Sequence, residues 1–387
     1  MIGGKLVAEG GYGCIFNPGI NCDGSIMKTK KYASKIQRYD SSARNEITIG
    51  REIQELNSFD DHFAPVLKFC EIDIASIKDD SVKKCTVLKK KKTNKFIVMK
   101  MQYIEGSDFL DYLISQKNSA QLVSNIILSF NHLLKSLTRL IEKKIVHYDL
   151  KGTNILFDNN KQIPLLIDFG LSFKIKNVTK TNLKQFFYIY APEYYIWPLE
   201  VHYLCFLANH SKEPTMMELK EMAKRYVENN KALNRNFSPG FLKKFENKCL
   251  RQLEKYNSLP FDERVMKILS YWETFDNYSL AIMYLKFLYY INIGGFIENN
   301  FIIFFSKLLL RNIDPCPEDR LKITETIHTF NIFLYQKNIN NIKTFEELTD
   351  TFIENRINME EEITKDRKHH LVETKTMRIK KRNQSSN

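Results

Sequence analysis

Three polar side chains, Asp149, Lys151 and Asn154, lie within six positions of the segment HYDLKGTNILF at 147–157. The residues around them are apolar, and a buried polar group costs free energy unless it is paired or used. A second acid, Asp168, follows in LLIDFGLS. Carboxylate and amide oxygens at the ends of short buried segments suit Mg²⁺, which bridges phosphates. The spacing therefore indicates chemistry on a phosphoryl group.

A glycine-rich turn, AEGGYGCIF at 8–16, lies between two predicted strands. Glycines allow backbone N–H groups to approach a phosphate closely, although similar turns also occur in plain hairpins. Lys35 falls in the next predicted strand, where a lone lysine is often a solvated edge residue. Glu46 or Glu52 on the following predicted helix could pair with it, which would make Lys35 part of the same phosphate site.

The elements that must position these residues form a sheet-rich first part and a helical second part. Further strands are predicted in KYASKIQR, PVLKFCEIDI and TNKFIVMKMQYI. A helix is predicted over 41–57, with Ser41 or Ser42 as its N-cap, because apolar residues recur at helical spacing. The charged segment KDDSVKKCTVLKKKK at 78–92 is predicted to be an exposed hairpin or loop. A long amphipathic helix at 120–144 leads into HYDLKGTN, and the chain beyond 193 is almost wholly helical by its period.

Composition limits the function classes. The chain has 387 residues, a formal net charge of +13 and a pI near 9.2, which favours acidic partners such as nucleic acid, although a lysine-rich solvated surface explains much of it. The basic segment RIKKR near the C-terminus is the candidate nucleic-acid contact.

The most apolar stretch, at 278–296, is interrupted by Lys286 and two glycines, so it predicts a buried helix and no membrane partner. Seven cysteines without a C-x-x-C pair predict reduced thiols and a cytoplasmic location.

Taken together, the motifs resemble those of the protein kinases. The glycine loop, Lys35, HYDLKGTN, DFG at 168–170 and APE at 191–193 occur in that family's order, over residues 1 to about 335. The resemblance implies an α+β, two-lobed kinase fold. Its expected parts are an N-lobe at 1–102, a C-lobe at 103–335 with a helical insertion at about 196–270, and a basic extension at 336–387.

The resemblance also implies an activity, transfer of the ATP γ-phosphate to serine or threonine hydroxyls of protein substrates with Mg²⁺. Asp149 would accept the hydroxyl proton, Lys151 would neutralise charge on the phosphoryl group, and Asn154 and Asp168 would bind Mg²⁺. Two alternatives stay open, a pseudokinase-like binding scaffold and a basic nucleic-acid-associated protein. The implied cofactor-binding residues are Ala8, Glu9, Gly10, Gly11, Tyr12, Gly13, Cys14, Ile15, Phe16, Lys35, Glu46, Gln102 and Ile104.

Three supporting residues are expected from the same resemblance. Glu193 would pair with Arg320, and Asp276 would hydrogen-bond the backbone of the catalytic loop. Phe186 stands where serine/threonine kinases commonly have a threonine that touches the catalytic aspartate. Tyr148 replaces an arginine that usually pairs with a phosphorylated activation loop, which predicts activity without that phosphorylation.

Two further expectations concern the long interval after Glu193 and the origin of the chain. The interval holds two helical patterns, which could be a self-packed decoration or a docking element for a substrate or regulator.

The segments GGYGCIF, YYIWPLEVH and TFDNYSLAIMYL are similar to the divergent serine/threonine kinases of large cytoplasmic DNA viruses. That narrower resemblance implies the host cytoplasm or the virion as the location.

Overall fold

The computed structural model describes residues 5–10, 13–77, 82–89, 95–115, 119–210, 212–292 and 300–336. The chain divides into two compact units. The N-terminal unit comprises Met1–Phe109 and Thr153–Phe173, and the C-terminal unit comprises Leu110–Gly152 and Lys174–Asn387. The predicted basic extension lies outside the described residues.

The strands belong mainly to the N-terminal unit. They are β1 (Lys5–Glu9), β2 (Gly13–Asn17), β3 (Tyr32–Arg38), β4 (Val66–Ile72), β5 (Phe96–Gln102), β6 (Gly106–Asp108), β7 (Ile145–Val146), β8 (Ile155–Asp158), β9 (Ile163–Leu166) and β10 (Phe173–Lys174). The first five form an antiparallel sheet in the order β1-β2-β3-β5-β4, and β6, β8 and β9 form a second antiparallel sheet.

The helices lie mainly in the C-terminal unit. They are α1 (Ser41–Gln54), α2 (Thr86–Lys89), α3 (Phe109–Ile114), α4 (Ser119–Glu142), α5 (Leu183–Phe186), α6 (Leu199–Asn209), α7 (Met216–Glu228), α8 (Lys231–Asn234), α9 (Pro239–Asn257), α10 (Phe261–Ser270), α11 (Phe275–Asn292), α12 (Asn300–Asn312) and α13 (Ile323–Gln336). An N-terminal antiparallel sheet followed by a largely helical region confirms the predicted α+β class.

The two faces of the five-stranded sheet carry different groups of residues. Side chains alternate between the faces of a strand, so on β5 Ile97 and Met99 pack with helix α1, while Phe96 and Val98 face an apolar cluster on the other side. The N-cap of helix α1 is Asp40, one residue before the predicted cap Ser41, because the carboxylate of Asp40 accepts the backbone N–H of Ala43 at 3.1 Å. We call the face covered by α1 the helix face and the opposite one the cluster face.

The insertion between β4 and β5 covers the cluster face. The prediction of an exposed hairpin is wrong for its described part, because Val82, Cys85 and Leu88 are buried against the sheet. The sequence misleads here because lysines alternate with these apolar residues, which hides one short apolar face among many charges.

Two disulfides attach parts of the N-terminal unit to one another. Cys14 is bonded to Cys85, and Cys22 is bonded to Cys70. The expectation of reduced thiols is therefore wrong for four of the seven cysteines. Cys205, Cys249 and Cys316 are free.

The C-terminal unit has its core around α11. This helix is apolar on every side, which is typical of a helix buried all round, and its described side chains are almost all buried. Among the described residues no helix combines the length and apolarity needed to cross a membrane. In the predicted insertion, α7 packs on α9 and α9 packs on α6, as a self-packed decoration requires.

Candidate active site

The first part of the site is an ion cluster on the helix face of the N-terminal sheet. The ammonium group of Lys35 on β3 lies 2.9 and 2.8 Å from the two carboxylate oxygens of Glu46 on α1, and 3.3 Å from Oδ1 of Asp168. The structure therefore selects Glu46 over Glu52 as the partner of Lys35. The strand and the helix bring together residues that the sequence separates by 11 and 133 positions.

Electrostatics keep Lys35 charged. Burial disfavours the ammonium form, but the nearby carboxylates of Asp168 and Glu46 outweigh that effect and hold the pKa of Lys35 above its usual value.

The side-chain amide of Asn45, beside Glu46 on α1, donates to the backbone oxygens of Ser172 at 2.6 Å and Gly170 at 3.3 Å. Helix α1 thus fixes the segment that carries Asp168 as well as the carboxylate of Glu46.

Asp168 and Asn154, the predicted Mg²⁺ ligands, lie on hydrogen-bonded neighbouring segments of the N-terminal unit. The backbone N–H of Ile167, next to Asp168, donates to the backbone oxygen of Asn154 at 3.0 Å, which joins the two segments. Asp168 has a left-handed backbone with φ of 61°, a conformation that costs a non-glycine residue free energy and is often found at functional sites. A Cβ at Gly170 would lie 3.3 Å from Oδ1 of Asp168, so glycine leaves room beside the carboxylate. One carboxylate and one amide oxygen fit Mg²⁺.

The β2 arm of the glycine-rich turn places successive side chains on opposite faces of the sheet. Ile15 is opposite Lys35 in the β2–β3 register, so its side chain lies on the helix face, whereas Cys14 and Phe16 enter the apolar cluster on the other face. Gly13 must be glycine, because a Cβ there would lie 2.2 Å from the backbone oxygen of Ile36. Of the predicted cofactor-binding set, Ile15 shares the face of Lys35 and Glu46, while Cys14 and Phe16 do not.

The remaining predicted cofactor residues lie elsewhere on the N-terminal unit. Ala8 and Glu9 belong to β1, and Gly10 donates its N–H to the backbone oxygen of Gly13 at 2.9 Å. Gln102 ends β5, and Ile104 is buried just beyond it. Gly11 and Tyr12 lie outside the described residues.

The C-terminal unit carries a separate group of candidate residues in its catalytic-loop segment. The ammonium group of Lys151 lies 3.0 and 2.9 Å from the carboxylate oxygens of Asp149, and both residues are buried. The hydroxyl of Tyr194 donates to Oδ1 of Asp149 at 2.8 Å. The sequence analysis compared Phe186 with the threonine that commonly touches the catalytic aspartate, and in the structure it is Tyr194 that supplies a hydroxyl to this carboxylate.

The backbone of this loop is held by an acid and by aromatic rings. Asp276 accepts the N–H of His147 at 2.7 Å and that of Tyr148 at 2.9 Å, which confirms its predicted role. Tyr148 has a positive φ of 68°. Its ring stacks on Trp197 with centroids 4.5 Å apart, and the indole N–H of Trp197 donates to the Tyr148 carbonyl at 2.5 Å. Burial raises the pKa of Asp276, and the two N–H donors partly offset this.

The predicted pairing of Glu193 with Arg320 is wrong. Arg320 donates to Glu200, with Nη2 2.8 Å from Oε2, and both side chains are 0% exposed. Glu193 pairs with Arg225 at 2.5 Å, where the side chains are 34% and 37% exposed. The literal string APE at 191–193 was misleading, because the buried acid lies seven residues later in WPLE.

Three important residues escaped the sequence analysis, namely Asn45, Tyr194 and Glu200. Glu200 had a usable signal, an acid in the first turn of a helix that otherwise buries almost every side chain. Asn45 had a weaker one, since it precedes Glu46 on the same helix. Tyr194 had none, because tyrosines are frequent in this segment and only the fold shows which hydroxyl reaches Asp149.

Comparison with known proteins agrees with this arrangement. A family model described as the protein kinase domain matches residues 4–196. The fold and the site therefore define a protein kinase domain, and this is the family to which that part of the chain belongs.

The similar curated proteins are kinases of other organisms. Dual specificity protein kinase zakA of Dictyostelium discoideum is 36% identical over 24% of this chain and 11% of its own length. Serine/threonine-protein kinase cds1 of Schizosaccharomyces pombe is 33% identical over 30% of this chain and 24% of its own. A third, described as a probable inactive serine/threonine-protein kinase, samkD of Dictyostelium discoideum, is 35% identical over 27% and 19%. The chain thus spans less than a third of the length of each.

Proposed function

We propose that the chain is an active protein kinase that transfers the γ-phosphate of ATP to serine or threonine hydroxyls of protein substrates. The observation that carries the proposal is the Lys35 ammonium group held between the carboxylates of Glu46 and Asp168. A buried lysine beside two acids is expensive in a structural core, and it is suited to holding an anionic phosphate chain.

Each unit supplies one part of the chemistry. In the N-terminal unit Lys35 would hold the nucleotide phosphates, and Glu46 would keep its ammonium group in position. Asn154 and Asp168 would hold Mg²⁺, which supplies charge neutralisation at the phosphates when it is bound. In the C-terminal unit Asp149 would accept the proton of the acceptor hydroxyl, while Lys151 would balance the charge that develops on the phosphoryl group.

The acceptor class is supported by sequence features. Lys151 follows Asp149 by two positions in DLKGTN, which resembles the serine/threonine branch. Similar proteins include serine/threonine kinases, one dual specificity kinase and one described as inactive. The pseudokinase alternative is disfavoured because Lys35, Asp149, Asn154 and Asp168 are all present. The viral resemblance stays a proposal, and nucleic-acid binding rests on net charge alone.

The test is incubation with labelled ATP, Mg²⁺ and a mixed protein extract, followed by phosphoamino-acid analysis. We expect phosphoserine and phosphothreonine, and we expect Asp149→Asn to lower the transfer rate by about 10²- to 10⁴-fold while nucleotide binding is retained. The matched control is Asp262→Asn, an exposed acid of the same unit, which should keep full activity. Undiminished transfer by Asp149→Asn would refute the assignment, and label only on tyrosine would refute the acceptor class.

A further inference from the structure

Helix α2 of the β4–β5 insertion is attached to both arms of the glycine-rich turn. On the β2 arm, Cys14 follows Gly13 directly and is bonded to Cys85, just before α2. On the β1 arm, the carboxylate of Glu9 accepts the backbone N–H of Val87 at 3.1 Å and the hydroxyl of Thr86. Glu9 and Cys14 are also opposite each other in the β1–β2 register. The turn is therefore held on both sides by one short element.

This attachment acts from the cluster face of the sheet. Cys14 is opposite Ile36, and both lie in the apolar cluster with Cys85 and Leu88. Ile15 and Lys35 occupy the other face, because side chains alternate along a strand. The disulfide can therefore restrain the turn without occupying the face that carries Lys35.

We propose that Cys14 and Cys85 are a redox modification site that controls how firmly β1 and β2, the two arms of the glycine-rich turn, are held to α2 and, through these arms, nucleotide affinity. The inference rests on the proposed function, because ATP is the ligand of that function. With the bond formed, the arms are fixed before nucleotide arrives, so less conformational freedom is lost on binding. With the bond reduced, the β1 arm keeps the Glu9 contacts, but the covalent restraint on the β2 arm is gone.

The chemistry is thiol–disulfide exchange with a low-molecular-weight disulfide or a dithiol, and because Cys14 and Cys85 are both 0% exposed, it requires local opening of the α2 segment. In the oxidising direction the two thiols lose two electrons and two protons and form the S–S bond, while the external disulfide takes up both and leaves as two thiols. In the reducing direction a dithiol supplies the two electrons and two protons, the S–S bond breaks, and the dithiol becomes a disulfide.

The other cysteines are poor alternatives for this role. Cys205, Cys249 and Cys316 are free and belong to the C-terminal unit, so none of them forms a disulfide that holds the arms of the turn. The Cys22–Cys70 bond joins the β2–β3 connection to β4, beyond both arms of the turn. It provides a matched control within the same unit.

The first experiment establishes the redox state. Under denaturing but non-reducing conditions, the oxidised 387-residue chain should show three free thiols, and peptide mapping by mass spectrometry should recover Cys14 linked to Cys85. Treatment with dithiothreitol should expose all seven. A protein that shows seven thiols even after incubation with oxidised glutathione would overturn the proposal.

The second experiment measures affinity for a fluorescent ATP analogue with Mg²⁺. We expect reduction to weaken binding by about three- to tenfold. Cys85→Ser should bind weakly in either redox condition, whereas the Cys22→Ser/Cys70→Ser double variant should respond to reduction as the parent protein does. Thermal unfolding checks that each variant is folded. If Cys85→Ser does not fold, the parent protein and the double variant still provide the comparison.

The outcomes separate this inference from the proposed function. Equal affinity of the oxidised and reduced parent protein overturns the redox site alone. No nucleotide binding in either state overturns the proposed function, and the redox inference falls with it.

The ligand atoms of Glu9, Cys14 and Cys85 also lie within 4.8 Å of one another. If the reduced protein retains one zinc ion that Cys85→Ser loses, the three residues are a metal site and the redox proposal is wrong.

Discussion

The candidate residues form two parts, one in each unit, and the two parts are held in place by different means. In the N-terminal unit Lys35 is fixed by charges, with Glu46 and Asp168 in direct contact. In the C-terminal unit the loop around Asp149 is fixed by rings and by backbone hydrogen bonds, through Tyr148, Trp197 and Asp276. The first part follows the family pattern closely, and the second departs from it at Tyr148 and Tyr194.

This difference shows which features of a site are open to variation. A phosphate chain requires opposite charge at defined positions, so the charged groups have few substitutes. A loop backbone can be held by any set of donors, acceptors and packed rings that satisfies its polar groups. We therefore expect changes in the N-terminal unit to affect nucleotide binding, and changes around Asp149 to affect turnover or folding.

The largest effect is expected from Glu200→Gln, which removes the charge facing Arg320. Loss of one partner from a fully buried ion pair leaves an uncompensated guanidinium group, so the free energy of unfolding should fall by about 3–5 kcal/mol. Chemical denaturation followed by fluorescence measures this. Glu193→Gln is the matched control, because its half-buried, solvent-accessible pair with Arg225 is worth about 1 kcal/mol or less. Equal losses from both variants would contradict the assignment of Glu200 as the structural acid.

A second large effect is expected from Tyr194→Phe. The variant removes a hydroxyl that donates to the carboxylate of Asp149 but keeps the ring, and hydrogen bonds to charged groups are worth about 1.5–3 kcal/mol. We expect kcat to fall by roughly ten- to a hundredfold with KM for ATP unchanged. The acid limb of the pH–rate profile should move to higher pH, because the carboxylate has lost a donor.

Tyr190→Phe is the control for that variant. It changes a second tyrosine of the same segment, which is half-buried and whose ring packs against Phe206 and His210. This change should leave both kcat and the pH–rate profile as they are. An unaltered profile in Tyr194→Phe would show that its hydroxyl does not tune Asp149.

The sequence predicted the charged residues better than their supports. Lys35, Glu46 and Asp276 were found because each fills a place where the chemistry or the backbone accepts few residue types. Glu200 was missed because the motif APE at 191–193 pointed to Glu193 as the structural acid. The burial that distinguishes Glu200 from Glu193 cannot be read from the sequence. The covered face of the N-terminal sheet was missed because lysines mask the short apolar side of α2, and disulfide partners 71 and 48 residues apart depend on the tertiary fold.

An intermediate effect is expected from Glu46→Gln in the N-terminal unit. The variant removes one of the two carboxylates that hold the ammonium group of Lys35, while Asp168 remains. We expect nucleotide affinity to weaken by on the order of tenfold, with little change in folding stability. Binding of a fluorescent ATP analogue measures this. Glu52→Gln, on the same helix, is the control and should bind as the parent protein does. If Glu46→Gln instead lowers kcat alone, the division between the two units fails.

The smallest effect is expected from removing the activation-loop hydroxyls of Thr179 and Thr181, which lie 3.1 Å apart on the exposed surface. A phosphate there usually orders the loop by pairing with arginine. Tyr148 replaces that arginine and packs into the aromatic cluster with Trp197 and Phe187. We therefore expect the Thr179→Ala/Thr181→Ala variant, and phosphatase-treated protein, to keep activity within about twofold, since an exposed hydroxyl away from special contacts contributes little. Protein that stays inactive until either threonine is phosphorylated would show that the aromatic cluster does not substitute for the missing arginine.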